Sequence, residues 1–141
     1  MIKQVSVFLE NKEGRLLHVL QILNDNQINL RSLTVAETSD YGVLRLILDK
    51  PKEGVQKLKE AGFIVKETNV LAVEVEDKAG AMLCVVKELS SNNLAVEYAY
   101  SCLPVHEKKV IIIIRVNDTE HAKVVLQESN CANLLNIEEL M

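Results

Sequence analysis

The hydrophobic and polar positions near the start of this chain predict a strand followed by a helix. Val5, Val7 and Leu9 alternate with Ser6 and Phe8, which is typical of a half-buried β-strand. A turn at residues 11–14 separates this strand from a run of apolar residues with helical spacing. The apolar stripe of that helix is wide enough to pack against a sheet, and it consists of Leu16, Leu17, Val19, Leu20, Ile22 and Leu23.

The next residues predict two strands, a second helix and a fourth strand. The second strand covers residues 28–38, with a bulge near Arg31 and Ser32, because the parity of the apolar positions changes there. A turn at 39–42 leads into a third strand at 43–48. Pro51 begins a short helix that Gly62 ends, and the fourth strand covers 63–67. The predicted order is therefore βαββαβ.

The second half of the chain repeats this order. Residues 5–14 align with residues 71–80, so the turn glycines Gly14 and Gly80 are 66 residues apart. The further identities on this offset fall mainly on apolar positions, where a shared fold would retain them. In this half we expect strands at 70–76, 94–101 and 109–116, helices at 81–91 and 119–127, and an irregular ending at 130–141 that includes a last strand.

Two βαββαβ copies indicate an α+β protein of two ferredoxin-like modules, each an antiparallel sheet with both helices on one face. We expect the first domain at residues 1–69 and the second at 70–141. The run Val110–Ile114 does not alternate, which predicts a strand buried on both faces. Val43, Arg45 and Ile47 are expected on the sheet face opposite the helices. They are apolar enough for us to expect at least a homodimer.

Composition and charge narrow the possible partners. The chain has 141 residues, 48% of them apolar, and a net charge of −4, which argues against a protein that binds nucleic acid. No apolar run is long enough to span a membrane, so no membrane contact is expected. Cys84, Cys102 and Cys131 are odd in number and lack close spacing. They predict neither a disulfide framework nor a zinc site, and they favour a reducing cytoplasm.

No catalytic arrangement stands out in the sequence. His18, His106 and His121 are scattered, with no carboxylate or cysteine at metal-ligand spacing, so no metal site is predicted. The five glycines lie at turns or helix ends and form no dinucleotide-binding motif, so no cofactor is predicted. We expect no catalytic residues and a protein that is not an enzyme.

The repeated turn is the feature with chemical content. Asn11-x-x-Gly14 and Asp77-x-x-Gly80 each lie between a strand and a helix. A glycine lets a ligand approach the backbone, and the first N–H groups of a helix suit a carboxylate. Asn11 or Asp77 could accept a hydrogen bond from an ammonium group. The alternative is that Asn11 and Asp77 only cap their helices.

These motifs resemble the ACT domain family of regulatory modules that bind amino acids. The resemblance rests on the Asn/Asp-Lys-x-Gly turn after a strand, the apolar helix, and the segment 26–30 that follows it. It covers nearly the whole chain as two tandem copies. Glu13 and Ala79 stand where the family often has proline. Asn29 and Leu30 match the family's Asn-Ile pair, whereas Ala95 and Val96 occupy that place in the second copy.

The resemblance implies that a free amino acid binds where two modules pair through their sheets. The first implied site joins one loop to the start of the opposite module's second strand, and it consists of Asn11, Gly14, Arg15, Leu16, Ala95 and Val96. The second site has the fuller polar set and is the stronger candidate, and it consists of Asp77, Gly80, Ala81, Met82, Asn29 and Leu30.

The function that follows from the resemblance is amino-acid sensing by a cytoplasmic, homodimeric regulatory protein of two ACT domains. With no catalytic domain in this sequence, it would act on a regulated protein partner that the sequence does not identify. Two alternatives stay open. The chain could be an oligomerisation module whose loops bind nothing, or it could bind another small anion or a nucleotide.

Overall fold

The computed structural model of the chain describes residues 1–37 and 40–141. Thr38 and Ser39, which belong to the predicted second strand and turn, lie outside the described residues. The chain divides into two compact units, one of Lys3–Thr68 and one of Met1–Ile2 with Asn69–Met141. The strands are β1 (Ile2–Glu10), β2 (Leu30–Glu37), β3 (Tyr41–Leu48), β4 (Ile64–Glu76), β5 (Val96–Cys102), β6 (Lys109–Val116) and β7 (Asn133–Leu135). The helices are α1 (Arg15–Asp25), α2 (Pro51–Glu60), α3 (Ala81–Ser91), α4 (Thr119–Glu128) and α5 (Ile137–Leu140).

The unit of residues 3–68, called the first module below, has the predicted βαββαβ order. β1 and β2 both pair antiparallel with β3, and the first residues of β4 complete the order. The predicted bulge is confirmed, because the register between β2 and β3 shifts between Leu30 and Ser32. The sheet and both helices share one core, built mainly from Val5, Val7, Leu9, Val19, Leu23, Leu44, Leu46, Leu48, Leu58 and Phe63.

The other unit, called the second module below, repeats this architecture. β4 pairs antiparallel with β6 and with β7, and β6 pairs antiparallel with β5. A bulge between Val96 and Tyr98 stands at the position equivalent to the bulge in β2. The core is built mainly from Leu71, Val73, Val75, Val85, Leu89, Ile114, Val116, Ala122 and Leu126. Ile111 and Ile113 are also fully buried, so β6 is covered on both faces, as predicted.

Two elements differ from the prediction. The strands expected at 63–67 and 70–76 are one continuous strand, β4, because the residues between them contain no glycine or proline to break it. The predicted helical stripe is too wide, since Leu17 exposes 69% of its surface and the equivalent Leu83 exposes 68%. Leu17 directly follows Leu16, and one residue turns a helix by about 100°, which carries its side chain off the core face.

The prediction that the cysteines form no disulfide is wrong. Cys84 and Cys131 are disulfide-bonded, with their Cα atoms 5.7 Å apart, whereas Cys102 is free and buried. The bonded cysteines are 47 positions apart and form no local motif, but α3 packs against α4, which brings Cys84 to the segment after α4. The sequence argument for a reducing compartment loses its basis, because it assumed unpaired cysteines.

The sheet face opposite the helices in the first module is better covered than the sequence suggested. Arg45 pairs with Ser6 and Val43 pairs with Phe8, which places these side chains away from the core face. Ile47 is fully buried in the single chain, and Val43 and Arg45 are half-buried. This face therefore gives no reason by itself to expect a second chain.

The disulfide leads to a stability prediction. Reduction should lower the free energy of unfolding by about 2–4 kcal/mol, since a covalent bond across a loop of this length restricts the unfolded chain. Thermal unfolding with and without dithiothreitol measures the effect. Cys84→Ser should melt at the same temperature in both conditions, as the matched control. A wild-type melting temperature that does not respond to the reductant would contradict the bond.

Candidate functional site

The two strand-to-helix loops have the same backbone geometry. Gly14 has φ 82° and Gly80 has φ 85°, and these glycines are the N-cap residues of α1 and α3. Neither glycine has a side chain, so neither N-cap residue gives its helix a side-chain capping hydrogen bond. That Asn11 and Asp77 only cap their helices stays the alternative prediction.

Both turns require glycine because of their backbone angles and not because of crowding. A Cβ added to Gly14 or Gly80 would meet no other atom within 4 Å. The positive φ angle is the constraint, since L-residues with side chains rarely adopt it. The space next to both glycines is therefore open to a small molecule.

In the first module, three predicted site residues line one cleft. Asn11, Arg15 and Leu16 surround a cavity of about 130 Å³ together with Glu37 and Tyr41. We call this cavity the loop cleft. Gly14 lies beside it, at the start of the helix that carries Arg15.

A second cavity of about 230 Å³ lies next to the loop cleft. Leu9, Glu10, Arg15 and Tyr41 line both cavities. The second one also includes carbon surface that the first lacks, from Phe8, Gly62 and Ile64. We call it the apolar cleft.

Arg15 is the cation where the two clefts meet. Its guanidinium lies 4.5 Å from the centre of the Phe63 ring, and this contact holds the side chain in place. Its Nε atom is buried and has no hydrogen-bond partner. The nearby Glu10 carboxylate is paired with Lys12, whose Nζ lies 2.9 Å from Oε2.

The acidic residues at the two loops have lowered pKa values. A hydrogen bond from Lys12 and the charge of Lys12, with a smaller effect of Arg15, lower the pKa of Glu10. In the second module, a hydrogen bond from Lys109 and its charge lower the pKa of Glu76. The same hydrogen bond raises the pKa of Lys109. Both loops therefore carry an ionised carboxylate at neutral pH.

The strand starts that the resemblance assigns to the sites are held in the same way in both modules. The Asn29 N–H donates to Asp49 Oδ1 at 2.9 Å, and the Asp49 N–H donates to the Asn29 carbonyl at 3.0 Å. In the second module, the Ala95 N–H donates to Asn117 Oδ1 at 3.0 Å. Asn29 and Ala95 are exposed, whereas Leu30 and Val96 pack against the two cores.

Within one module, the loop and the strand start lie far apart. Glu10, at the loop, pairs with Tyr41 at one end of β3, and Leu30 pairs with Leu48 at the other end. Seven residues of strand separate these points, or about 24 Å at the usual rise. Asn29 and Leu30 therefore cannot join the loop of their own module. Their pairing with the loop of another module stays a prediction.

The predicted residues of the second loop differ in exposure. Asp77 and Gly80 are exposed, and the Asp77 N–H donates to the Lys108 carbonyl at 2.9 Å. Ala81 is buried in the core, and Met82 packs against it. Asp77 and Gly80 are therefore the members of this set that a ligand can reach.

Sequence reasoning missed the aromatic residues around Arg15. Phe8 and Tyr41 expose 45% each, and their ring centres are 5.8 Å apart. The chain has only five aromatic residues, and three of them, Phe8, Tyr41 and Phe63, lie at these clefts. Because aromatic residues are so few in this sequence, each of them could have been considered as a candidate site residue.

The model of the ACT domain pair family matches residues 1–141. The chain belongs to this family. Among solved structures, a protein of Bacteroides thetaiotaomicron is 34% identical to this ACT domain pair, with a TM-score of 0.91 over 99% of this chain and 94% of the other.

Two regulatory subunits of aspartate kinase also share the fold. The ligand-free subunit of Thermus thermophilus has a TM-score of 0.63 at 14% identity, over 89% of this ACT domain pair and 91% of the other chain. The subunit of Thermus flavus has a TM-score of 0.64 at 13% identity, over 89% and 88%. No curated protein matches the chain.

Among residues 1–37 and 40–141, no helix is long and apolar enough to cross a membrane. The same residues contain no group of three or more histidine, cysteine, aspartate or glutamate side chains placed to hold a metal ion.

The loop carboxylates give a titration prediction. Lys109→Met should raise the pKa of Glu76 and leave that of Glu10 unchanged, and Lys12→Met should do the reverse. Because both carboxyl pKa values are lowered in the folded state, the stability they contribute is present above their unfolded pKa and is lost as the pH falls through the folded pKa. NMR titration of the glutamate side chains measures both values. A Glu76 pKa that does not respond to Lys109→Met would contradict the pairing.

Proposed function

We propose that this ACT domain pair is a regulatory protein that binds a free amino acid at its strand-to-helix loops and catalyses no reaction. The observation that carries the proposal is the left-handed glycine at the N-cap of α1 and of α3, which gives the first helical turn no side-chain cap. The N–H groups of such a turn, at the positive end of the helix dipole, suit a carboxylate. Asn11 and Asp77 carry side-chain oxygens that can accept a hydrogen bond from an ammonium group.

The relatives support a regulatory role. The two Thermus proteins of the same fold are regulatory subunits of aspartate kinase. By analogy, this chain would report ligand binding to a protein partner and would carry no catalytic residues itself. Its loops place a cation, carboxylates and open space together, which suits a zwitterionic ligand.

Ligand binding can be tested with a panel of the twenty amino acids, by thermal shift followed by calorimetry. A ligand at a hundredfold excess over its Kd should stabilise the folded chain by about 2.7 kcal/mol. Asp77→Ala and Asn11→Ala each remove one loop acceptor. We expect Asp77→Ala to weaken the binding of a ligand at the second module's loop by about 1.5–3 kcal/mol, because it removes a charge-assisted hydrogen bond.

A matched control separates binding from helix capping. Asp118 is the N-cap of α4, and its side chain accepts a hydrogen bond from the His121 N–H at 3.1 Å. Asp118→Ala should lower the stability by about 1 kcal/mol and leave the affinity unchanged. Asp77→Ala should do the opposite, since Gly80 and not Asp77 is the N-cap residue of α3. If neither Asp77→Ala nor Asn11→Ala alters the affinity for any ligand, the loops are not the site.

The second candidate function is assembly with a second copy of the chain. Leu17 and Leu83 favour it, because they are exposed at equivalent positions of α1 and α3. Exposed apolar side chains at the same place in both repeats suit a contact with another chain.

Sedimentation tests the assembly. We expect a species of twice the 15.8 kDa chain mass at micromolar concentration. Replacing both leucines, with Leu17→Lys and Leu83→Lys, should shift it towards the single chain, because a charged group is costly in an apolar contact. A wild-type protein that sediments as a single chain at high micromolar concentration would rule out the homodimer.

A further inference from the structure

The apolar cleft of the first module has a counterpart in the second module. Phe8, Leu9 and Glu10 line the apolar cleft, and the residues 66 positions later, Glu74, Val75 and Glu76, line a cavity of about 300 Å³. Each cavity also includes the first residues of the module's third strand and the segment before its fourth strand. The internal repeat therefore builds a cleft at the same place twice.

The two clefts have opposite chemistry. The side chains of Phe8, Leu9, Tyr41 and Ile64 give the first one its carbon surface. Tyr41 begins β3 and pairs with Glu10, whereas its counterpart Lys109 begins β6 and pairs with Glu76. The second cleft is polar, with Glu74, Glu76, Lys109, Ser129, Asn130 and Asn133 around it.

Arg15 has no counterpart in the second module, because Ala81 occupies the equivalent position there. Its Nε is buried and has no hydrogen-bond partner, so the Nη atoms are the donors for a ligand. A guanidinium binds a carboxylate through two parallel hydrogen bonds. The Phe63 ring below the guanidinium fixes its plane for such a pair.

The guanidinium of Arg15 and the clefts on its two sides offer a ligand three different environments. On one side, the loop cleft is lined by Glu37 and by Glu10, whose carboxylate is paired with Lys12, and the Glu37 carboxylate suits an ammonium group. On the other side lie Phe8, Tyr41 and Ile64, which expose 45%, 45% and 71% of their surface. An apolar side chain placed there would cover this carbon surface, whereas a polar one would meet only Glu10, Arg15 and the Tyr41 hydroxyl as polar partners.

We propose that the first module selects an α-amino acid with an apolar side chain. The Arg15 guanidinium binds the carboxylate, the loop cleft takes the ammonium group, and the apolar cleft takes the side chain. The second module, whose cleft is polar and whose helix α3 begins with Ala81 in place of an arginine, does not accept this ligand. The inference rests on the proposed amino-acid binding and names the class of ligand.

Calorimetry on the full chain tests the selection. Leucine and phenylalanine should bind at least tenfold more tightly than serine, aspartate and lysine, with one apolar ligand per chain. Arg15→Gln should weaken leucine binding at least tenfold. Ile64→Ser should reduce the preference for leucine over serine, because it removes carbon surface from the apolar cleft. Asn130→Ala, in the second cleft, is the matched control and should leave leucine binding unchanged.

Each outcome decides between the two proposals. Tighter binding of aspartate, lysine or serine than of leucine would overturn the apolar selection and leave amino-acid binding standing. Binding of none of the five would overturn both. Leucine binding that Arg15→Gln and Ile64→Ser leave intact, with unchanged melting temperatures, would place the ligand outside these clefts and overturn the inference. Arg15→Lys, which keeps the charge and loses the paired hydrogen bonds, should bind more weakly than wild type even if Arg15→Gln folds poorly.

Discussion

The left-handed glycine between the first strand and the first helix of each module is the constraint on which the rest depends. With φ near 80°, Gly14 and Gly80 reverse the chain so that α1 and α3 begin at once and pack their apolar faces on the sheet. Because glycine has no side chain, the N-cap residue gives no side-chain hydrogen bond to the N–H groups of the first helical turn. One backbone requirement therefore shapes the core and leaves a polar opening beside it.

Each module has an equivalent tertiary contact, made by an aromatic pair in the first module and by a disulfide in the second. In the first, the rings of His18 and Phe63 lie 5.2 Å apart, joining α1 to the segment before β4. Cys84 is the residue 66 positions after His18, and its disulfide with Cys131 joins α3 to the segment before β7. The disulfide thus stands where packing already brings the helix and the segment together. Cysteine spacing along the chain carries no sign of this, which explains why the sequence argument failed.

Periodicity predicted the fold well because each element depends on its own residues. The alternation of Val5, Val7 and Leu9 and the repeated turn were sufficient for the βαββαβ order and the ACT family. The predictions that failed depend on three-dimensional packing. Leu17 has helical spacing, but only the docking of α1 decides which residues face the core. Asn11 and Arg15 of the loop cleft were predicted from the sequence. Phe8, Tyr41 and Ile64 of the apolar cleft come from three strands that only the folded sheet brings together.

The two repeats differ at their clefts and not in their cores. The core positions of the two modules stay apolar, since Val7 and Val73, or Leu23 and Leu89, serve the same packing. At the clefts the chemistry reverses, and Phe8 corresponds to the buried carboxylate of Glu74, which contacts His106 Nδ1 at 2.8 Å. Phe8 and Glu74 occupy the same register on equivalent strands, so the fold by itself does not require such different side chains. A scaffold kept constant around two different clefts is what a protein needs if its modules are to respond to different molecules.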